Sequence, residues 1–228
     1  MSDPLTAELG TRAGFPPGRG FYCRGRFGVL GEVPSAVVQA VQGFLGPDLV
    51  GPGWRAGRPV MPAAEAVTWY RQALGRWGRA HISRDIDVEH FNRLARQLIE
   101  AADGAGLPLF AGWRAQPCTG DPVAEAMQRV HVLREHRGAC HLVAVRACGL
   151  SARDAMLVNL GVEQATGYGW QAPYPAVSGL AHRWHRAEEL TNELQAPLYS
   201  ALTAGQRAEF AALVTAMTRG AAVVAVGG

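Results

Sequence analysis

The chain has 228 residues, of which 48% are hydrophobic and 18% are charged, so it can bury a core and wholesale disorder is excluded. All 22 basic residues are arginine and the net charge is only +3, which is weak evidence for a nucleic-acid partner. The sequence holds no apolar run of membrane-span length and no signal-peptide pattern, so we expect a cytoplasmic protein without a membrane partner.

Proline, serine, threonine and aspartate at helix starts and glycine at helix ends predict an all-α chain. The predicted helices cover residues 35–44, 63–77, 88–102, 122–135, 139–148, 152–160, 179–194 and 203–217. Gly138 is expected to break the helical stretch that contains it. Stretches rich in proline and glycine predict loops at 46–62, 104–122 and 167–179. Short extended pieces at 107–110 and 223–226 would not build a sheet.

The chain matches itself at an offset of 116 residues. The matched positions are Ser35 with Ser151, Trp54 with Trp170, Asp87 with Thr203 and, after a two-residue gap, Arg19-Gly20 with Arg137-Gly138. The pattern predicts two tandem, related helix-turn-helix halves that form a single-chain pseudo-dimer. Residues 1–105 would form the first half, 106–122 a Pro/Gly-rich connector and 123–228 the second half.

Three C-terminal segments, REHRGACHLVAVRACGLSARDAML, GYGWQAPYP and RAEELTNELQAPLYSAL, resemble an actinobacterial family of helix-turn-helix-like proteins related to MarR-type winged-helix regulators. LIEAADGAGLPLFAGWRAQP and FYCRGRFGVLGEVPSAVV also fit its pattern. The resemblance covers most of residues 10–215. It implies winged-helix-like halves but no particular activity. No cofactor can be predicted from the sequence.

Ionisable side chains are densest at residues 134–141, REHRGACH. Two interpretations stay open. In one, His141 is a satisfied core histidine and Glu135 pairs locally with an arginine. In the other, the cluster faces a ligand pocket between the halves, where backbone N–H groups at the two Arg-Gly helix starts favour an anionic or carbonyl-bearing molecule. The predicted ligand contacts are Arg19, Tyr22, Arg26, Trp54, His136, Arg137, His141 and Trp170.

Small-molecule binding at this pocket is the leading functional prediction. One alternative is a ligand-responsive DNA-binding regulator, which is disfavoured because residues 36–45 and 152–160, the helices that would read bases, lack a basic stripe. The other is an enzyme that uses His141, Arg137 and Glu135 for acid–base chemistry.

The spacing of several histidines is compatible with a metal site. His182, His185 and Glu189 would share one helical stripe, and His131 with Glu135 forms an i,i+4 pair. These spacings match no established ligand signature, so no metal is predicted.

Overall fold

Helices make up all the regular secondary structure of the computed structural model, which describes the backbone of residues 3–225 and the side chains of residues 3–219. The helices are α1 (Pro4–Arg12), α2 (Gly20–Phe27), α3 (Ser35–Gln42), α4 (Pro47–Gly57), α5 (Ala63–His81), α6 (Val88–Ala101), α7 (Pro108–Arg114), α8 (Pro122–Ala147), α9 (Ala152–Gly167), α10 (Ala181–Tyr199) and α11 (Ala204–Ala225). A 3-10 turn, Gly28–Leu30, follows α2. The described backbone contains no strand, and the predicted all-α class is confirmed.

The central helix is α8, which packs against α5, α6, α7 and α10. Asp121 caps its start by accepting hydrogen bonds from the backbone N–H groups of Val123 and Ala124, and Pro122 occupies the first turn. The helix continues through Gly138, so the predicted break was wrong. An interior glycine costs a helix about 1 kcal/mol relative to alanine, and burial of the flanking side chains outweighs that cost.

Two predicted loops contain helices. α4 fills most of 46–62 because Val50 and Trp54 bury their side chains completely, which overrides its Pro/Gly content. α7 lies within 104–122 and includes residues 108–110 of the piece predicted to be extended, because Leu109, Phe110 and Trp113 are buried. The extended piece predicted at 223–226 was also wrong for residues 223–225, which belong to the end of α11. Val226 lies outside the described residues. Residues 168–180 are irregular, which agrees with the predicted loop at 167–179 except at its ends: Gly167 belongs to α9, and α10 begins at Ala181 rather than at 179.

Helix caps behave as their local sequence predicts. Asp87 Oδ1 accepts from the His90 backbone N–H at 2.8 Å, and Ser151 and Asp154 form a reciprocal capping box at the start of α9. The Gly-Trp segments differ, however: Trp54 lies inside α4, whereas Trp170 lies in the irregular stretch after α9. Residues 19–104 and 137–218 therefore differ in helix order, and the tandem pseudo-dimer is not confirmed.

The largest core cluster draws on residues from both sides of the Pro/Gly-rich stretch at 106–122. Phe91 and Leu98 of α6 meet Phe110 and Trp113 of α7 and Val132 of α8 in it. This packing adjoins the middle of α8, where Glu135, His136 and His141 are buried while Arg134 and Arg137 are exposed. Within residues 3–225, no helix is both long enough and apolar enough to span a membrane.

Candidate functional site

A cavity of about 550 Å³ lies beside the middle of α8, and we call it the central cavity. Its apolar walls are Val41, Phe44, Leu45, Phe91, Leu109, Val130, Leu133, Met156, Leu160, Phe210 and Val214. Its polar lining residues are Tyr22, Arg26, Gln42, Arg134, Glu135, Arg137, His141, Tyr168, Gln195 and Tyr199. A volume of this size, largely apolar with a few polar groups, is typical of small-molecule sites.

A buried ion pair forms one corner of the central cavity. Arg26 Nε donates to Glu135 Oε1 at 2.7 Å and Arg26 Nη2 donates to Glu135 Oε2 at 2.9 Å, a bidentate pair. Arg26 Nη1 also donates to the Tyr22 hydroxyl at 2.6 Å. Burial alone would raise the pKa of Glu135, but Arg26 more than offsets it and lowers that pKa to about 2. Glu135 is therefore ionised and saturates Arg26, so Arg26 is not the free cation that the sequence suggested.

His131 lies next to this pair and is almost completely buried. Its Nε2 is 3.4 Å from Glu135 Oε1 without hydrogen-bond geometry, and it has no other partner among the described residues. Its ring packs edge-on against Trp113, with the ring centroids 4.3 Å apart. Burial lowers the pKa of His131 to about 3, so the imidazole is neutral at physiological pH. The i,i+4 spacing from Glu135 was visible in the sequence, but the aromatic burial was not.

His141 combines the two interpretations that the sequence left open, because its Nδ1 is hydrogen-bonded and its ring also lines the central cavity. Thr191 Oγ1 donates its one hydrogen to Ala187 O at 2.6 Å, so His141 Nδ1 must donate to Thr191 Oγ1 at 2.8 Å. This assigns the tautomer with the proton on Nδ1. The ring stacks on Phe44 at 5.1 Å between centroids. Burial lowers its pKa, although Glu188 acts in the opposite direction.

Arg137 reaches the rim of the central cavity and donates to Glu188 Oε2 at 3.2 Å. The predicted helix start at Arg137-Gly138 was wrong, because both residues lie inside α8. Their backbone N–H groups belong to the continuous helix and do not supply the expected anion-binding donors.

Four predicted contacts lie away from the central cavity. Arg19 precedes α2, as predicted, but lines a separate groove beside α1. Trp54 is a core residue whose Nε1 donates to Val33 O at 2.9 Å. Trp170 Nε1 donates to Phe44 O at 2.9 Å, which ties residues 168–180 to the turn after α3. His136 packs edge-on against Phe110.

Sequence reasoning missed several residues of the central cavity. Arg134 and Gln195 line it without having been predicted as contacts. Arg134 belongs to the ionisable segment 134–141, so the density of charged residues around it could have identified it as a cavity residue. Gln195 belongs to α10 and reaches α8 only through tertiary packing, so no local pattern identified it.

The helices that would read bases present little positive charge. On α3 the exposed residues are Ala36, Val37 and Ala40, and on α9 they are Asn159, Gly161, Val162, Glu163, Gln164, Thr166 and Gly167. Among the described side chains, no group of three or more histidine, cysteine, aspartate or glutamate residues is placed to hold a metal ion.

Comparison with known proteins identifies a family. A model described as a helix-turn-helix family matches residues 2–178. The match takes in α1 to α9 and most of the segment before α10. No curated protein and no solved structure matches the chain. Because the family model covers well over half of the sequence, the chain belongs to this helix-turn-helix family.

Proposed function

We propose that the protein binds a small, largely apolar molecule in the central cavity. The observation that carries the proposal is the combination of about 550 Å³ of space, walls of aliphatic and aromatic side chains, and a polar corner at Glu135. Apolar walls supply the free energy of burial, and a few fixed polar groups orient the ligand. The bound molecule would contact residues of α2, α3, α6, α7, α8, α9, α10 and α11.

The proposal is tested first with a neutral apolar dye, Nile red, whose fluorescence rises in apolar surroundings. We expect saturable binding with a stoichiometry of about one, since one cavity of this character adjoins α8 in the described part of the chain. Native mass spectrometry of the purified protein would also reveal any small molecule that co-purifies. Absence of saturable dye binding together with a protein of unliganded mass would contradict the proposal.

Gly138 offers a matched pair of variants that fill the central cavity to different extents. A Cβ at this position would meet nothing within 4 Å, and the residue lines the cavity. Gly138→Phe should therefore fold and reduce Nile red binding at least tenfold by occupying the space. Gly138→Ala should keep binding and raise the free energy of unfolding by about 0.5–1 kcal/mol, because alanine favours the helix interior. Equal binding by the two variants would place the dye elsewhere.

DNA binding is the second candidate function, and membership of a helix-turn-helix family is the observation that favours it. The exposed faces of α3 and α9 argue against tight binding, because neither exposes an arginine that could contact phosphate, and only Asn159 and Gln164 of α9 are exposed for base readout. A ligand-responsive regulator would combine both candidate functions in one molecule.

Fluorescence anisotropy with a duplex from the region upstream of the gene distinguishes these possibilities. We expect a dissociation constant no tighter than about 10⁻⁶ M at physiological salt, equal for a scrambled duplex, which is the non-specific range. Nanomolar binding that depends on the duplex sequence would make the regulator the leading function.

A further inference from the structure

The charges at the Glu135 corner of the central cavity do not cancel. Arg26 uses both carboxylate oxygens of Glu135, so these two residues neutralise each other. Arg134 also lines the cavity, and it has only a third contact with the same carboxylate, from Nη1 to Oε1 at 3.2 Å. Arg134 is about half exposed, so its guanidinium can turn toward a new partner. The corner therefore carries one positive charge in excess.

The uncommitted polar groups around the cavity include hydrogen-bond donors. The Tyr22 hydroxyl accepts from Arg26, and its own hydrogen has no acceptor among the described residues. Gln195 Nε2 is buried with no hydrogen-bond partner among them. Donors left unpaired in a buried site cost free energy, which a ligand acceptor recovers. Arg137, by contrast, already has Glu188 as its partner.

We propose that the molecule bound in the central cavity is an amphipathic monoanion, with its acidic group at Arg134 and the Tyr22 hydroxyl and its apolar body against the aliphatic and aromatic walls. This inference rests on the proposed binding function and adds the chemical class of the ligand. A carboxylate satisfies the excess charge and offers only acceptors. A neutral molecule of the same shape would offer Arg134 no charged partner.

The test compares octanoate with octan-1-ol, which share an apolar chain and differ in the charged group. Isothermal titration calorimetry at pH 7.5 should give at least tenfold tighter binding for octanoate, as charge-assisted hydrogen bonds require. Arg134→Gln should remove most of this preference by weakening octanoate alone. Arg146→Gln is the matched control, because Arg146 lies on the exposed side of the same helix and does not line the cavity. It should leave both affinities unchanged.

The outcomes separate this inference from the proposed function. Equal affinity for the two compounds, or a preference that survives Arg134→Gln, would overturn the anionic ligand class while binding in the cavity stands. If Nile red binds but octanoate does not, the ligand class is again overturned. If neither Nile red, octanoate nor octan-1-ol binds, the proposed function falls as well.

Discussion

Replacement of Glu135 by glutamine should lower the free energy of unfolding by about 3–5 kcal/mol, the usual cost of removing one partner of a buried ion pair. The Glu135 side chain is only 2% exposed and that of Arg26 only 11%, so the pair is largely removed from solvent. The variant leaves the Arg26 charge buried without its bidentate partner. Urea unfolding followed by circular dichroism measures the change.

Two further variants show whether the loss comes from the unpaired charge. Glu100→Gln removes an exposed carboxylate that is 4.0 Å from Arg96, and it should cost less than about 1 kcal/mol. The double variant Arg26→Met with Glu135→Leu should recover part of the loss, because it removes both charges. A cost for Glu135→Gln as small as that of Glu100→Gln would show that the pair does not stabilise the fold.

Acid should destabilise the protein well before its carboxylates are protonated. Burial lowers the pKa of His131 from 6.5 to about 3, and it also lowers the pKa values of His136 and His141. Below pH 6.5 the unfolded chain binds protons that the folded chain excludes. Above pH 6.5 the buried neutral histidines do not lower the free energy of unfolding, because they are neutral in the unfolded chain too. The free energy of unfolding then decreases as the pH falls toward 3. His131 alone contributes a slope of about 1.4 kcal/mol per pH unit, or about 3 kcal/mol by pH 4.5.

Glu135 extends the loss to lower pH. Its folded-state pKa of about 2 lies below the ordinary 4.5, so its stabilisation is present above pH 4.5 and disappears as the pH falls toward 2. Unfolding free energies measured from pH 7.5 to 4.5 isolate the histidine part. His131→Gln should reduce the slope of the unfolding free energy against pH by about 1.4 kcal/mol per pH unit, the contribution of one proton. His182→Gln, on the exposed face of α10, serves as the surface control. A flat profile for the unaltered protein would contradict the buried, neutral histidines.

The sequence by itself determined the features that depend on contacts three or four residues apart. The all-α class follows from caps such as Asp87 and Ser151, whose bonding partners lie within the next turn. The segment 134–141 was located as the polar centre for the same reason, since its charges are concentrated in a short stretch. Tyr22 and Arg26 were proposed as its companions, and the structure brings both to the same cavity.

Tertiary structure alone decided which residues pair and which charge stays free. Arg26 and Glu135 are 109 positions apart. Because they neutralise each other, the net positive charge of this corner is that of Arg134. Packing around α8 likewise kept the helix intact at Gly138, and burial of Trp54 and Trp113 turned two Pro/Gly-rich stretches into helices. The physical reason is that glycine and proline propensities amount to about 1–3 kcal/mol per residue. Burial of one large side chain contributes a comparable free energy, and its partners come from distant parts of the chain.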